Sequence, residues 1–493
     1  MNPSQNTPTQ NHDTTGTGER FDVRNDTVDI RTAGDIELCV PDSIDNLVCY
    51  VLKEQEQWLD EETRFVAKLV TAKSRVIDIA SNYGIYSLPI ARVADKVWVF
   101  ETNPVTIACL GQGMLNNDIE NIAIIDLPLF GVPSRDDSPE RIDSGLRCSL
   151  DPYIERFEFT GIDFVRINIS EESDKLIAQS EKFFALNSPL VMCGRHHDAQ
   201  QNARLVEVFA ALDYQAYCLI PGLDILAPID DVSAIDSYLT NLFFCNKDTA
   251  RALNQRNLLC TEIADTETLL DDNPGAWEDY AAHAIYARPL LALWNSRAPQ
   301  EFTAKEPRHW SAYKQALVFH RIAHNPVYPV NVRNACLYRA FQLLTETIDK
   351  QPTFSRLLTM ARLSSELGLR DSAVQSLKVL LELLCSEHPV SADEPFLAVH
   401  PVFEQLDPGA QLGEWCFSSI FQAYAWQRNY SSFFSTEKEL ATLEEFRHTP
   451  FLQPRTERAR QLLKHKLGLQ SQPELNELLT LPSEFNLNPR LWV

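Results

Sequence analysis

The sequence predicts an α/β domain built on a parallel sheet, followed by an all-α C-terminal region. Short apolar segments rich in β-branched residues recur between residues 75 and 193, and polar segments that suit helices separate them. Buried strands that alternate with helices are typical of a parallel sheet covered on both faces. Beyond about residue 247 the strand pattern ends and helical spacing takes over. The length of 493 residues allows about three folded units, which agrees with this division.

The predicted strands follow one another in chain order. The first five are RVIDIA (75–80), KVWVFE (96–101), NIAIID (121–126), IDFVRINI (162–169) and PLVMC (189–193). Residues 83–94, between the first two, suit a helix. Three later segments are YQAYCLI (214–220), DILAPI (224–229) and NLFFC (241–245). Because no obvious helix separates these three, we expect them to form a hairpin-like edge of the same sheet.

Two further elements are predicted before the first of these strands. Ile36, Leu38 and Val40 alternate with polar or small residues, as in a strand with one buried face. The acidic run DEE (60–62) then predicts a helix start, because carboxylates are favoured in the first turn of a helix.

Four regions follow from these patterns. Residues 1–20 carry no apolar side chain beyond Met1, and we expect a disordered tail there. The α/β domain is assigned to residues 21–246, a helical connecting region to 247–330 and a helical domain to 331–493. In the last region, residues 353–385 have the helix–turn–helix pattern of a tetratricopeptide repeat with Gly368 at the turn. An ordinary helical bundle is the alternative.

Composition and charge argue against several classes of protein. The formal net charge is −24, and phosphate backbones are bound through Lys and Arg, so we expect no nucleic-acid partner. No apolar run is long enough for a transmembrane helix, and the N-terminus lacks the apolar segment of a secretory signal. The eleven cysteines are scattered without a CxxC pair. This usage predicts reduced thiols in a cytoplasmic protein and no metal site.

The segment most informative about chemistry is VIDIASNYGIYSL (76–88), followed by VWVFETNP (97–104). The first strand carries Asp78 before a loop of small residues, and the second strand ends in Glu101. Such a loop presents backbone N–H groups and a helix N-terminus to a ligand at the carboxyl ends of parallel strands. A carboxylate at the end of the second strand can accept both hydroxyls of a ribose. Because a G-x-G-x-x-G loop for phosphates is missing, the pattern favours a phosphate-free nucleoside over NAD. The alternative is a structural strand–turn–helix whose acids cap helices.

DIASNYGIYS (78–87) resembles the D-x-G-A-N-x-G-x-Y-S signature of the FkbM family of S-adenosylmethionine-dependent methyltransferases. FETNP (100–104) resembles the F-E-P-N-P of that family, and GIDFVRIN (161–168) stands where the family has I-D-F-I-K-I-D. The resemblance covers about residues 40–246. It implies a Rossmann-like class I methyltransferase sheet, S-adenosylmethionine as cofactor and a hydroxyl-bearing acceptor, often a saccharide. The cofactor-binding positions that it implies are Asp78, Ala80, Asn82, Gly84, Glu101 and Asn103.

Within this resemblance, Asp78 is expected either to stabilise the loop or to reach the amino-acid end of the cofactor through water. Ala80 replaces the first glycine of the loop, and we expect an alanine to be tolerated there only if its φ is negative.

The segment expected to bind the methyl acceptor departs further from the family pattern. Its K-I-D-V-E-G-x-E is RINISEES (166–173) here, so Asn168 replaces an aspartate and Glu171 replaces a glycine. Asn168 can orient an acceptor by hydrogen bonding but cannot act as a base. Residues that could replace the missing base are Glu171, Glu172, His196 and His197.

Two functions of different classes follow. The first is a cytoplasmic O-methyltransferase that acts on a sugar hydroxyl of a glycan or glycosylated metabolite, with a helical C-terminal region that docks a protein partner or a carrier-linked acceptor. The second is a non-catalytic methyltransferase-like scaffold with a degenerate acceptor site, which the acids missing from residues 168–173 favour. The retained Asp78 and Glu101 favour the first.

Overall fold

The computed structural model describes residues 21–126, 129, 148–168, 173–196, 198–229, 236, 238–262, 264–266, 268–270, 276–294, 312–386 and 391–469. The predicted tail, residues 1–20, lies outside this part of the chain.

The described residues contain ten strands in two sheets. The strands are β1 (Thr27–Arg31), β2 (Glu37–Pro41), β3 (Arg75–Ile79), β4 (Lys96–Phe100), β5 (Ile122–Ile125), β6 (Phe164–Ile167), β7 (Leu190–Gly194), β8 (Tyr214–Ile220), β9 (Ile225–Pro228) and β10 (Asn241–Asn246). β1 and β2 form a separate antiparallel hairpin, and the other strands form one sheet in the order β5-β4-β3-β6-β7-β10-β8-β9. Every predicted strand is therefore present.

The large sheet is mostly parallel and Rossmann-like. β5, β4, β3, β6 and β7 are parallel to their neighbours, whereas β10 is antiparallel to both β7 and β8. The expectation of a hairpin-like edge is correct for β8 and β9, which pair antiparallel at the margin. β10 also belongs to this antiparallel end of the sheet, but it lies between β7 and β8 and not beside β9. Five buried residues of β10 pack on both faces of the sheet, which a strand at an exposed margin would not allow.

Apolar side chains cover both faces of the sheet, as the β-branched runs predict. Along β4, Val97 and Val99 face one core, and Trp98 and Phe100 face the other, because side chains alternate along a strand. The helices of this half are α1 (Val23–Asp26), α2 (Leu47–Gln55), α3 (Asp60–Leu69), α4 (Ser87–Ala91), α5 (Pro104–Asn116), α6 (Ile154–Phe157), α7 (Ser173–Ala178), α8 (Glu181–Asn187), α9 (Ala199–Ala211) and α10 (Lys247–Gln255). The helix predicted at 83–94 is shorter than expected, because a tight loop occupies its first turn.

The described part of the C-terminal region is helical. Its helices are α11 (Ala276–His283), α12 (Ala312–Ala323), α13 (Val330–Lys350), α14 (Phe354–Glu366), α15 (Arg370–Leu384), α16 (Pro401–Glu404), α17 (Leu412–Arg428), α18 (Glu437–Phe446) and α19 (Pro454–Lys466). α14 and α15 form the expected helix–turn–helix, and Gly368 makes the turn with a φ of 75°. Assignment of this pair to a tetratricopeptide repeat remains a prediction.

The helical region packs directly on the α/β half. Ile220, Leu223 and Ile225, at the β8–β9 turn, share one hydrophobic core with α12, α13 and α14. On the other side, Tyr50 of α2 packs with Leu462 of α19, and its hydroxyl lies 2.9 Å from Ser432 Oγ. None of the described helices is long and apolar enough to cross a membrane. All eleven cysteines are free thiols, as expected.

Candidate functional site

The strand order brings the predicted cofactor residues together at one end of the strands, where β3, β4 and β6 finish. β4, β3 and β6 are adjacent and parallel, and neighbouring strands lie about 4.8 Å apart. Glu101 follows β4, the loop 80–84 follows β3, and Asn168 follows β6. We call residues 78–84 and 101–103 the β3–β4 edge. The predicted cofactor residues therefore meet at the carboxyl ends of these strands.

The loop after β3 has an unusual backbone. Ala80, Asn82 and Tyr83 have φ values of 61°, 51° and 64°, and Gly84 has a φ of 83°. The expectation of a negative φ at Ala80 is therefore wrong. A left-handed conformation costs a non-glycine residue about 1–2 kcal/mol, so the loop keeps this shape only because its surroundings impose it.

Asp78 is the main support of this loop. Its carboxylate is fully buried, accepts a hydrogen bond from Ser87 Oγ and lies 2.8 Å from Arg166 Nη1. Arg166 Nη1 also donates to the carbonyl oxygen of Ala80 at 3.3 Å. Of the two roles expected for Asp78, the geometry fits stabilisation of the loop, since the protein encloses the carboxylate.

Gly84 is required by space as well as by backbone conformation. A Cβ atom at this position would lie 2.6 Å from Leu110 Cδ1 and 3.0 Å from Leu88 Cγ. Nearby, the hydroxyl of Tyr83 accepts a hydrogen bond from Asn46 Nδ2 at 3.1 Å, which joins the loop to α2. The loop is thus fixed on two sides before any ligand binds.

Glu101 presents a half-buried carboxylate at the end of β4. Its Oε1 accepts the backbone N–H groups of Thr102 and Asn103 at 2.9 and 3.0 Å. Burial raises the pKa of Glu101 above its ordinary value. The side chain of Asn103 caps α5 by accepting from Val105 N at 2.9 Å, so this side chain has a structural use. One carboxylate oxygen of Glu101 is thus held by two backbone N–H groups at the start of α5.

The acceptor residues expected from the sequence are only partly described. Asn168 is exposed, and its Nδ2 lies 3.4 Å from the carbonyl oxygen of Ala80. Glu171, Glu172 and His197 lie outside the described residues. His196 is buried, and its backbone N–H and C=O bond with the side chain of Asn202 at 2.8 and 2.9 Å.

The structure adds three polar residues that the sequence reasoning missed. The guanidinium of Arg166 lies 4.2 Å from the ring centroid of Tyr86, and the Tyr86 hydroxyl donates to Glu62 Oε2 at 3.3 Å. Glu62 Oε1 accepts from Thr240 Oγ1 at 2.5 Å, and Glu62 Oε2 accepts from Asn241 Nδ2 at 2.9 Å. The only signal in the sequence is Arg166, a basic residue inside the otherwise apolar strand FVRI.

Burial governs the ionisation of this network. It raises the pKa of Glu62, although the three hydrogen-bond donors and Arg166 oppose the shift. Burial also raises the pKa of Tyr86 well above its ordinary value, and the neighbouring Glu62 adds to that shift. Tyr86 therefore acts as a neutral donor, and Glu62 is a carboxyl group that holds its proton more tightly than one in water.

A cavity lies between the sheet and the helical region, next to Glu62. Its lining includes Glu62, Tyr238 and Thr240 of the α/β half and His400, Trp426 and Tyr430 of the helical half. We call it the junction cavity. Its volume is about 110 Å³.

The comparisons with known proteins reach only the level of fold. No family model matches the chain, and no curated protein matches it. A solved rRNA methylase from Streptococcus thermophilus is 17% identical, covers 37% of this chain and 91% of its own, and has a TM-score of 0.24. TYW2 from M. jannaschii, solved in complex with AdoMet, is 12% identical over 43% of this chain and 81% of its own, with a TM-score of 0.27. The ribosomal protein L11 methylase from Lactobacillus delbrueckii subsp. bulgaricus is 13% identical, covers 38% of this chain and 77% of its own, and has a TM-score of 0.25. At these identities and TM-scores the comparisons assign neither a substrate nor an activity to this chain.

Proposed function

We propose that the chain binds S-adenosylmethionine and transfers its methyl group to a sugar hydroxyl of a glycan or glycosylated metabolite. The observation that carries the proposal is the β3–β4 edge, where a preshaped loop and the Glu101 carboxylate lie side by side at the carboxyl ends of parallel strands. This is the place at which open α/β sheets bind nucleosides.

The residues of this edge suit the parts of the cofactor. Glu101 accepts two backbone N–H groups on Oε1, and its second carboxylate oxygen can accept hydrogen bonds from ribose hydroxyls. The loop 80–84 offers backbone groups close to the ligand, and the lack of a Cβ at Gly84 lets α5 pack behind it. Asp78 and Arg166 act indirectly, because they hold the loop in its left-handed conformation. When bound, the cofactor supplies a methyl group on a positively charged sulfur.

Calorimetry with S-adenosylmethionine and its demethylated product tests the cofactor half of the proposal. We expect Glu101→Ala to weaken binding about 10- to 100-fold, which is about 1.4–2.7 kcal/mol. The matched control is Glu120→Ala. Glu120 is an exposed glutamate just before β5, at the amino ends of the parallel strands. Absence of heat at high micromolar ligand, or a Glu101→Ala protein that binds like wild type, would refute the proposal.

A second candidate function is a non-catalytic scaffold with a methyltransferase-like fold. It is favoured by Asn168, which cannot remove a proton and whose amide contacts Ala80 of the loop. Cofactor binding without transfer of a labelled methyl group to any glycan fraction would support the scaffold. Transfer that depends on Glu101 would exclude it.

A further inference from the structure

We infer that the acceptor sugar ring binds in the junction cavity and that Glu62 is the base that receives the proton of its hydroxyl. This inference rests on the proposed function. Glu62 of α3 would thus take the role of the carboxylate that Asn168, directly after β6, does not supply.

The course of the chain places Glu62 at the correct edge of the sheet. α3 ends at Leu69 and β3 begins at Arg75, so α3 runs back along the sheet in the direction opposite to β3. Its first turn, which contains Glu62, therefore lies at the carboxyl ends of the strands. Thr240 and Asn241, which both bond to Glu62, lie at the start of the antiparallel β10 and hence at the same edge.

Glu62 is joined to the β3–β4 edge by a short chain of contacts. Tyr86 donates to Glu62 and lies under the guanidinium of Arg166, which pairs with Asp78. Asn168, the residue directly after β6, contacts the loop at Ala80. A cofactor on β3 and β4 and an acceptor beside Glu62 would therefore face each other across the end of β6.

The carboxylate of Glu62 keeps a free position for the acceptor. Its two oxygens offer about four lone-pair positions, and Tyr86, Thr240 and Asn241 take three of them. The remaining position is on Oε1, since Tyr86 and Asn241 both donate to Oε2. Because Glu62 lines the cavity, a hydroxyl inside the cavity can reach it.

The walls of the junction cavity suit a single sugar ring. The cavity volume of about 110 Å³ is several times the roughly 10–15 Å³ that a single buried water requires, so a small ligand can enter it. Tyr238, Trp426 and Tyr430 supply flat aromatic surfaces on which the C–H face of a sugar can pack. The rest of the lining is mixed, with polar side chains such as Gln55, Ser365 and Gln427 beside apolar ones such as Leu59, Leu219 and Val399.

Two side chains fix the shape and polarity of these walls. The guanidinium of Arg370 lies 3.7 Å from the ring centroid of Tyr430 and 5.3 Å from that of Tyr238, so it joins the two halves. Burial, together with Arg362 and Arg455, lowers the pKa of His400 to about 3, so its ring is neutral. His400 Nδ1 accepts from Val402 N at 3.3 Å, which leaves its Nε2–H as a donor.

The reaction balances with these groups. The hydroxyl oxygen of the acceptor attacks the methyl carbon, and the S–CH₃ bond breaks with its electron pair going to sulfur. The sulfonium becomes a neutral thioether, and the hydroxyl proton passes to Glu62. In-line placement supplies much of the rate, and a base near the proton contributes about 10²- to 10⁴-fold.

The test begins with binding of methyl glycosides of the common hexoses and pentoses at 10 mM to the protein saturated with demethylated cofactor. We expect at least one glycoside to give saturation-transfer signals in wild type and a Trp426→Leu variant to lose them. The matched control is Phe434→Ala, which removes an exposed aromatic ring of the helical half outside the cavity. No bound glycoside in wild type, or unchanged binding in Trp426→Leu, would overturn the assignment of the cavity.

The base is tested by transfer of a labelled methyl group to the glycoside that binds. Glu62→Gln keeps the size of the side chain, so we expect a 10²- to 10⁴-fold loss of turnover with cofactor affinity within twofold of wild type. Glu62→Asp, which keeps a carboxylate, should recover part of the rate, and Glu207→Gln, on the exposed face of α9, should match wild type. A Glu62→Gln enzyme with more than a tenth of the wild-type rate would refute the assignment, as would glycoside binding without transfer in wild type.

The pH profile separates a base from a merely structural residue. The rate of wild type should rise with pH as Glu62 ionises, and the rate of Glu62→Gln should lack that limb. The charged or titratable groups in contact with or close to Glu62 are Tyr86 and Arg166, and Glu61, Arg370, His400, Tyr430 and Arg455 line the same cavity. Failure of cofactor binding in calorimetry would instead refute the proposed function, independently of the glycoside measurements.

Discussion

The β3–β4 edge and the junction cavity lie at the same side of one sheet, yet their residues come together in opposite ways. The edge is formed by residues 78–84 and 101–103, and Arg166 of β6 supports it. The cavity combines Glu62 with residues as distant in sequence as Trp426 and Tyr430. A local site keeps a recognisable motif, whereas a site assembled between two halves does not. The cofactor half of a function can therefore be visible in a sequence while its acceptor half is hidden.

The largest expected effect tests whether the β3–β4 edge depends on its buried ion pair. Asp78→Asn would leave the guanidinium of Arg166 buried without its carboxylate, which costs about 3–5 kcal/mol in the free energy of unfolding. Urea denaturation measures this loss. Asp248→Asn, at an exposed ion pair with Arg251, should change stability by less than about 1 kcal/mol.

A double variant distinguishes the unpaired charge from other damage. Asp78→Asn combined with Arg166→Met removes both charges, so it should be more stable than Asp78→Asn alone. If Asp78→Asn loses less than about 1 kcal/mol, the ion pair does not hold the loop.

Much of the fold could be predicted because its signals are local. Each predicted strand of the large sheet begins and ends within two residues of the observed one. The limits of a strand can be predicted because they depend on a short apolar run and on the polar residues directly beside it. The place of β10 could not be predicted, because pairing order depends on which strand fills the space beside β7. The conformation of Ala80 was also hidden, since alanine gives no sign of a positive φ.

Glu62 shows why the acceptor half was missed. In the sequence it is one of three acids at a helix start, where carboxylates ordinarily face solvent and interact with the helix dipole. Its burial comes from Tyr86, Thr240 and Asn241, which lie 24 to 179 residues away. No pattern within α3 predicts those contacts.

The second prediction concerns the packing behind the loop. Gly84→Ala would press a Cβ atom against Leu110 and Leu88 at a φ of 83°, so we expect a loss of about 2–4 kcal/mol in stability. Gly111→Ala, on α5, meets nothing within 4 Å and should stabilise the protein by about 0.5–1 kcal/mol. Thermal unfolding of both variants gives the comparison. Equal effects would show that the loop tolerates a side chain at residue 84.

The third prediction contrasts the two halves by their response to acid. In the helical half, Glu366 Oε2 lies 2.9 Å from His320 Nε2 and 3.0 Å from His324 Nε2, and Arg362 Nε donates to the other oxygen. Burial lowers the pKa of His320, with His324 and Arg362 adding to the effect and Glu366 opposing it. Burial acts to raise the pKa of Glu366, but His324, His320 and Arg362 hold it well below the ordinary value.

Both shifts make the helical half less stable in acid. Below about pH 6.5 unfolded His320 takes up a proton that the folded ring resists, so stability falls by up to about 1.4 kcal/mol per pH unit. Below about pH 4.5 the stabilisation from Glu366 begins to be lost as pH falls towards its folded pKa. Glu101 has the opposite sign, since its raised pKa favours the folded state in acid. Urea titrations from pH 7.5 to 5 should show a flatter slope for His320→Gln, and equal slopes would contradict the prediction.

The smallest expected effect concerns a single contact that joins the halves at the junction cavity. The Tyr430 hydroxyl donates to the carbonyl oxygen of Tyr238 at 2.7 Å, and Tyr430→Phe removes this bond while its ring stays beside Arg370. We expect a loss of about 0.5–1.5 kcal/mol in stability. Glycoside binding should weaken in the same variant, whereas cofactor binding at the β3–β4 edge should stay unchanged. Because the two ligands occupy separate regions, equal weakening of both would mean that the edge and the cavity are one coupled site.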